Sequence, residues 1–314
     1  METPLIFWIA FNTGILMLLA FDLLILHRRA REIRFREAAL GSALWVTLSL
    51  AFCAFVWHWR GPQSGLQFLT GYLIEYSLSA DNIFVFVLIM TFFKVPRELQ
   101  HRVLFWGVLG ALVMRGTMIG LGVYLVERFH WILYVFGGIL IFSGIRMFFQ
   151  RAEEEVDPEH NPIIRLCRRC MPVTDRYEGG RFAVRREGRL FLTPLAVVLI
   201  MVETTDLVFA VDSIPAIFAI TRDPFIVYTS NVCAILGLRS MYFMLAGAMH
   251  RFIFLKAGLS IILTFVGVKM MIMDLYKIPT EVSLTVVAAV LATAIVTSVV
   301  VTRNRGGEKP LVGG

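Results

Sequence analysis

Charge is scarce in this chain of 314 residues: Asp, Glu, Lys and Arg make up 17% of it, against about 25% in an ordinary soluble domain. Cysteine is scarcer still, and 4 in this length exclude a secreted disulfide scaffold. The 6 histidines (His27, His58, His101, His130, His160 and His250) all fall at the ends of apolar runs or between them. Imidazole coordination of zinc, copper or nickel is therefore not supported. A Gly-x-x-x-x-Gly-Lys-Ser/Thr loop is missing too, which excludes a P-loop nucleotide site. What abounds is apolar: 58% of the residues, with a mean hydropathy of +0.74. Two soluble domains, the number this length suggests, would be left with too little polar surface. The composition is that of an all-α, polytopic membrane protein, and it lacks the marks of an enzyme.

Runs long enough to cross a bilayer, about 20 apolar residues each, lie at 4–26, 40–58, 68–92, 103–125, 130–149, 193–220, 225–247, 255–273 and 281–301. About nine transmembrane helices are predicted, forming one transporter domain over 1–314. A cytoplasmic loop at 150–190 separates spans 5 and 6. The first run is read as a retained span, because its basic residues follow it and no small-residue cleavage site is evident. Threading the nine spans alternately puts 22 Lys and Arg residues on one face and 4 on the other. By the positive-inside rule the N-terminus lies outside and the C-terminus in the cytoplasm. The net charge of +7 thus reports topology, and its partner is the lipid bilayer, with no need for nucleic acid. Within the loop, residues 181–189 are expected to turn at Glu187-Gly188 as a small hairpin.

Two stretches of the apolar text answer each other. Ser79-Ala80-Asp81-Asn82-Ile83 in span 3 matches Ala210-Val211-Asp212-Ser213-Ile214 in span 6. Arg115 in span 4 matches Arg239 in span 7. Gly144-Ile145-Arg146-Met147 in span 5 matches Gly267-Val268-Lys269-Met270 in span 8. Spans 3–5 and 6–8 are read as two copies of a three-helix unit. An odd number of helices per copy inverts the second, the design of secondary transporters whose site lies at the midplane.

Acids inside these spans are costly, at about 2.5–3.5 kcal/mol each when ionised at the bilayer centre. Span 3 carries Glu75 and Asp81; span 6 carries Glu203, Asp206 and Asp212. With Asn82 and Ser213 they form an oxygen-rich set that suits Mg, Ca or Mn. Arg115 and Arg239 are deep enough to pair with the acids and hold the site closed when no ion is bound. Arg146 and Lys269, late in their spans, are expected to snorkel. Glu75 to Asp81 and Asp206 to Asp212 are each six residues apart, roughly 240° around a helix. Either they serve separate sites or the helices open between them, and Pro215 favours an opening. Asp22, at the inner end of span 1, is read as pairing with Arg28 or a lipid headgroup. Cys167-Arg168-Arg169-Cys170 in the loop sets two thiols among arginines, which suits redox exchange or metal capture, but with no βαβ context and no second CxxC it is read first as two unpaired reduced thiols.

The longest of these motifs carry a resemblance. Glu75-Tyr-Ser-Leu-Ser-Ala-Asp81-Asn82, Val202-Glu203-Thr-Thr-Asp206, Phe209-Ala-Val-Asp212-Ser213-Ile-Pro215-Ala-Ile-Phe218 and Ala234-Ile-Leu-Gly-Leu-Arg239-Ser-Met-Tyr242 together resemble the TerC family, its Alx subgroup of bacterial inner-membrane proteins above all. The likeness extends from Phe21-Asp22-Leu23 over nearly the whole chain. It implies export of Mn²⁺ as transported substrate, with H⁺ as a candidate counter-ion and no bound organic cofactor. It further implies that transport depends on Glu75, Asp81, Glu203, Asp206 and Asp212. The family is also linked to tellurite resistance and to redox modulation, so a membrane-bound redox modulator and a membrane scaffold are the alternative readings. No oligomeric partner is indicated by the residues.

Overall fold

The computed structural model describes residues 3–21, 35–129, 131–149, 172–174, 176–186, 189–246, 254–276 and 278–305. Among them run ten helices, α1 (Leu5–Phe21), α2 (Phe35–Arg60), α3 (Pro62–Phe92), α4 (Arg97–Arg128), α5 (Ile132–Phe149), α6 (Pro194–Phe218), α7 (Pro224–Leu236), α8 (Leu238–Leu245), α9 (Leu255–Met271) and α10 (Thr280–Arg305). Helix accounts for 83% of the structure. The one strand pair among the described residues is β1 (Ala183–Arg186), antiparallel to β2 (Arg189–Leu192), with Arg186 opposite Arg189, as the expected hairpin requires; Glu187 and Gly188, where the turn was expected, lie outside the described residues.

Local chemistry sets the helix starts. Pro62, Pro194 and Pro224 each open a helix at a position where the missing N–H costs nothing. The Thr193 hydroxyl accepts from the Ala196 N–H, and the Asp223 carboxylate accepts from the N–H groups of Phe225 and Ile226. Gly61, at φ +90°, takes the left-handed turn that folds α3 back along α2. Arg60 locks this end, donating to Asp223 at 2.6 Å and to Thr3 at 2.9 Å. At the opposite end of α3, the Tyr177 hydroxyl donates to the Phe93 carbonyl at 2.7 Å. Burial pushes that phenol up to about 12, so it stays a donor.

Six helices, α2 to α6 and α10, are long and apolar enough to cross a membrane. Leu5–Ala20 and Pro224–Leu236 are apolar but shorter. Burial separates centre from periphery. In α3, 69% of the most apolar stretch is covered by other helices, against 28% in α2 and α4 and 22% in α5 and α10. Exposed Phe142, Val113, Leu121 and Val296 would be liabilities in water and are ordinary on a lipid face. In lipid, close backbone approach is what holds helices together. A Cβ at Gly137 on α5 would stand 3.1 Å from the Gly267 carbonyl on α9, and one at Gly267 would stand 2.8 Å from the Gly137 carbonyl. One turn or two further along, Ser260 of α9 donates its hydroxyl to the Gly144 carbonyl of α5.

Two expectations need correction. The opening predicted in spans 3 and 6 is not there: α3 and α6 each run unbroken past both of their acids. Pro215 falls in the last turn of α6, where the helix is about to end and one lost hydrogen bond stops nothing. The interruption lies in span 7 instead, at Gly237 between α7 and α8. Lys269 does not snorkel either. It is 8% exposed, and its Nζ donates to Ser283 on α10 at 2.8 Å. Arg146 is exposed, as a snorkelling residue should be. Asp22, Cys167 and Cys170 lie outside the described residues.

Candidate functional site

Glu75, Arg115 and Asp206 sit near the middles of α3, α4 and α6, and the packing of these helices brings them together. Arg115 is 1% exposed and is the largest fully buried side chain among the described residues. Its guanidinium donates Nη1 to Glu75 and Nη2 to Asp206 Oδ1 at 2.8 Å. Nε reaches Asp206 Oδ2 at 3.1 Å, which makes the Asp206 pairing bidentate. Nη1 also donates to the Ser213 hydroxyl at 3.2 Å. One cation thus faces two carboxylates, so the cluster keeps a net negative charge where water is excluded. Removing one partner of such a buried set costs about 3–5 kcal/mol.

Helical spacing decides which polar groups join this cluster. Glu75, Ser79 and Asn82 are at i, i+4 and i+7, one face of α3; Asp206 and Ser213, at i and i+7, share a face of α6. All five are buried. Six-residue spacing does the opposite. Asp212 leaves Arg115 and accepts from Ser143 on α5 at 2.7 Å, with Arg146 near enough for its charge to be felt. Of the two outcomes open from the 240° argument, separate sites is the one that holds on α6. The Asp81 side chain lies outside the described residues.

Glu203 lies one helical turn before Asp206 on α6. Its carboxylate lies over Gly110 of α4, where a Cβ would collide with it. Together with Asp206 it lines a narrow cavity walled by Phe86, Leu104, Gly107 and Leu238. Arg239, which the sequence pattern matched to Arg115, is 6% exposed at the start of α8. Of the seven predicted ligands, then, the structure joins Glu75, Asp206 and Ser213 through Arg115. It sets Glu203 beside them and sends Asp212 elsewhere. Among the described residues, no three His, Cys, Asp or Glu side chains are grouped as a metal site; Arg115 stands between Glu75 and Asp206.

One residue escaped the sequence reading. Asn231 of α7 is wholly buried, and its Nδ2 donates to Glu75 Oε2 at 3.0 Å, leaving Oδ1 with no partner. Ser79 Oγ and Asn82 Nδ2 are likewise buried without partners. Each unpaired group costs about 1–3 kcal/mol. The available signal was a lone amide in an apolar run, Val227 to Leu236, whose other polar groups are the hydroxyls of Tyr228, Thr229 and Ser230 and the thiol of Cys233. Cys53 and Cys233 are free and buried, as intramembrane small apolar residues.

The sequence profile of the Integral membrane protein TerC family matches residues 60–306. An uncharacterized membrane protein of Myxococcus xanthus is 53% identical over 297 residues, 95% of this chain and 93% of that one. Proteins named Alx and described as proposed membrane-bound redox modulators are similar over most of their length. That of Escherichia coli (strain K12) is 49% identical over 298 residues, 92% of each chain. That of Salmonella typhi is 48% identical over 312 residues, 96% of each. No solved structure matches the chain significantly. The family profile covers most of a multi-pass helical chain, relatives match it over nearly its whole length, and the chain belongs to the TerC family of integral membrane proteins.

Proposed function

We propose that this protein is a secondary transporter, not an enzyme, that exports Mn²⁺ from the cytoplasm of a bacterial cell through the acids of α3 and α6. The observation that carries this reading is Arg115, a cation held between Glu75 and Asp206 at the centre of the helix pack. A guanidinium there stands where a divalent cation would stand. Mn²⁺ reaching Asp206 past Glu203 competes with Arg115 for the same oxygens, and the arginine closes the site again after release. Carboxylate, amide and hydroxyl oxygens suit such a hard cation. Moving its two charges outward against an inside-negative potential costs about 4.6 kcal/mol per 100 mV. Protons returning on the vacated carboxylates are the counter-flow that can drive it.

The reading draws on nine spans in two inverted repeats, with the N-terminus outside. Contacts support the symmetry. An offset of 123 residues carries Gly144 onto Gly267 and Gly137 onto Ser260. The Gly137–Gly267 contact therefore maps onto the Ser260–Gly144 contact. In the same way α3 packs on α7 where α4 packs on α6.

Inverted membrane vesicles supplied with radioactive manganese test the proposal. Wild type accumulates the metal, and Glu75→Gln and Asp206→Asn do not; equal uptake by these variants overturns the site. The names of the Alx proteins favour a second reading, redox modulation, which in this chain would act through Cys167 and Cys170. Changing both to Ser discriminates: intact flux with loss of a redox phenotype supports it. Stable protein partners with no flux in any variant would point to a membrane scaffold.

A further inference from the structure

We infer that Asn231 is an oxygen ligand of the transported divalent cation, an inference that rests on the transport reading above. Its amide is anchored on one side only. Nδ2 donates to Glu75 Oε2 at 3.0 Å, which fixes the orientation, since the reverse would set the amide oxygen against a carboxylate. Covalent geometry puts Oδ1 about 2.2 Å from Nδ2, hence no more than about 5 Å from the Glu75 carboxylate. That oxygen is fully buried, and among the described residues no N–H or O–H donates to it. Buried acceptors are nearly always paired, and one left open beside a carboxylate is a place where an ion or its water can bind.

Neighbouring polar residues show how unusual this is. Thr70, Ser77, Thr204, Thr205 and Thr229 all turn their hydroxyls to the carbonyl one helical turn back. The groups left over are Asn231 Oδ1 and, on the Glu75 face of α3, Ser79 Oγ and Asn82 Nδ2. Only the first is an acceptor already tied to a carboxylate of the Arg115 cluster. When Arg115 gives way, Glu75, Asp206, Ser213 and Asn231 present oxygens from α3, α6 and α7 to one ion. A carbonyl oxygen there supplies a ligand without adding charge, so release stays possible.

The test uses the purified full chain in proteoliposomes, with manganese uptake measured as a function of concentration. Asn231→Ala is expected to raise KM about tenfold with little change in kcat, a shift that one lost ligand accounts for. Asn231→Cys puts a soft donor at the same place, and cadmium should then inhibit manganese uptake at about tenfold lower concentration than in wild type. That second readout separates a ligand from a residue that merely positions Glu75. A higher KM in both variants with unchanged cadmium inhibition overturns the ligand role, as does an unchanged KM. If Asn231→Ala does not elute as a single species, the Cys variant decides alone. Wild type that carries no manganese overturns the transport reading and this inference with it, whereas uptake lost in Glu75→Gln but unaltered in both Asn231 variants overturns this inference only.

Discussion

Arg115 is the residue on which the site turns, and its substitution is the sharpest single test of the geometry. Arg115→Gln leaves Glu75 and Asp206 facing each other with no counter-charge. A loss of about 3–5 kcal/mol is expected in thermal or denaturant unfolding of the detergent-solubilised protein. Adding Glu75→Gln to it should recover part of that loss, because one of the two stranded charges is gone. Equal stability of all three proteins would show that the cluster is solvated. Gly110→Ala is the complementary change, since the three atoms nearest its Cβ all belong to the Glu203 carboxyl group. Helix propensity favours the alanine, so folding should be nearly unaffected. Manganese uptake should fall about tenfold, the effect of roughly 1.4 kcal/mol on binding or crossing; full uptake would remove Glu203 from the path. Much of this was legible beforehand. Acids and arginines inside apolar runs are conspicuous because their cost demands a partner, and Glu75, Asp206 and Arg115 did find one another. Asn231 was not legible, because a neutral amide costs far less and reads as one more polar residue in a helix.

At the level of elements, the sequence pattern located the helices better than their interruptions. Pro62, Pro194 and Pro224 open helices at or shortly before the apolar runs that begin at 68, 193 and 225, and the two short strands of the expected hairpin do pair. Pro215 misled, because a proline disrupts a helix only where turns remain to be lost. Gly237 was silent, because a glycine in an apolar run marks a break, a close contact or nothing at all. The α5–α9 contact shows the close-contact case. Gly267→Val should separate these helices and cost about 1–3 kcal/mol, the usual penalty for overpacking, read as a lower melting temperature in detergent. The equivalent change at Gly138, which has open space beside it, should cost much less. Similar losses at both positions would mean that the two helices do not meet as described.

For the whole molecule, the distribution of Lys and Arg and the two answering motifs made the strongest claims. Each has its own measurement. A fluorescent protein fused after Arg305 should glow and alkaline phosphatase at the same point should stay inactive, as befits a cytoplasmic C-terminus; the reverse pattern overturns the orientation. Inverted vesicles made acid inside should accumulate manganese, and an ionophore that exchanges protons for potassium should abolish the accumulation. Uptake indifferent to the pH gradient would remove protons from the cycle. The placement of Arg115 bears on this cycle in one more way. A carrier that fills its own empty site with a tethered cation occupies the place that a stray sodium or potassium would take and matches one of the two acid charges itself. On the transport reading, the resting protein therefore offers a smaller ion less reason to enter, and a cell can keep many copies in its membrane at little cost to the gradient that drives them.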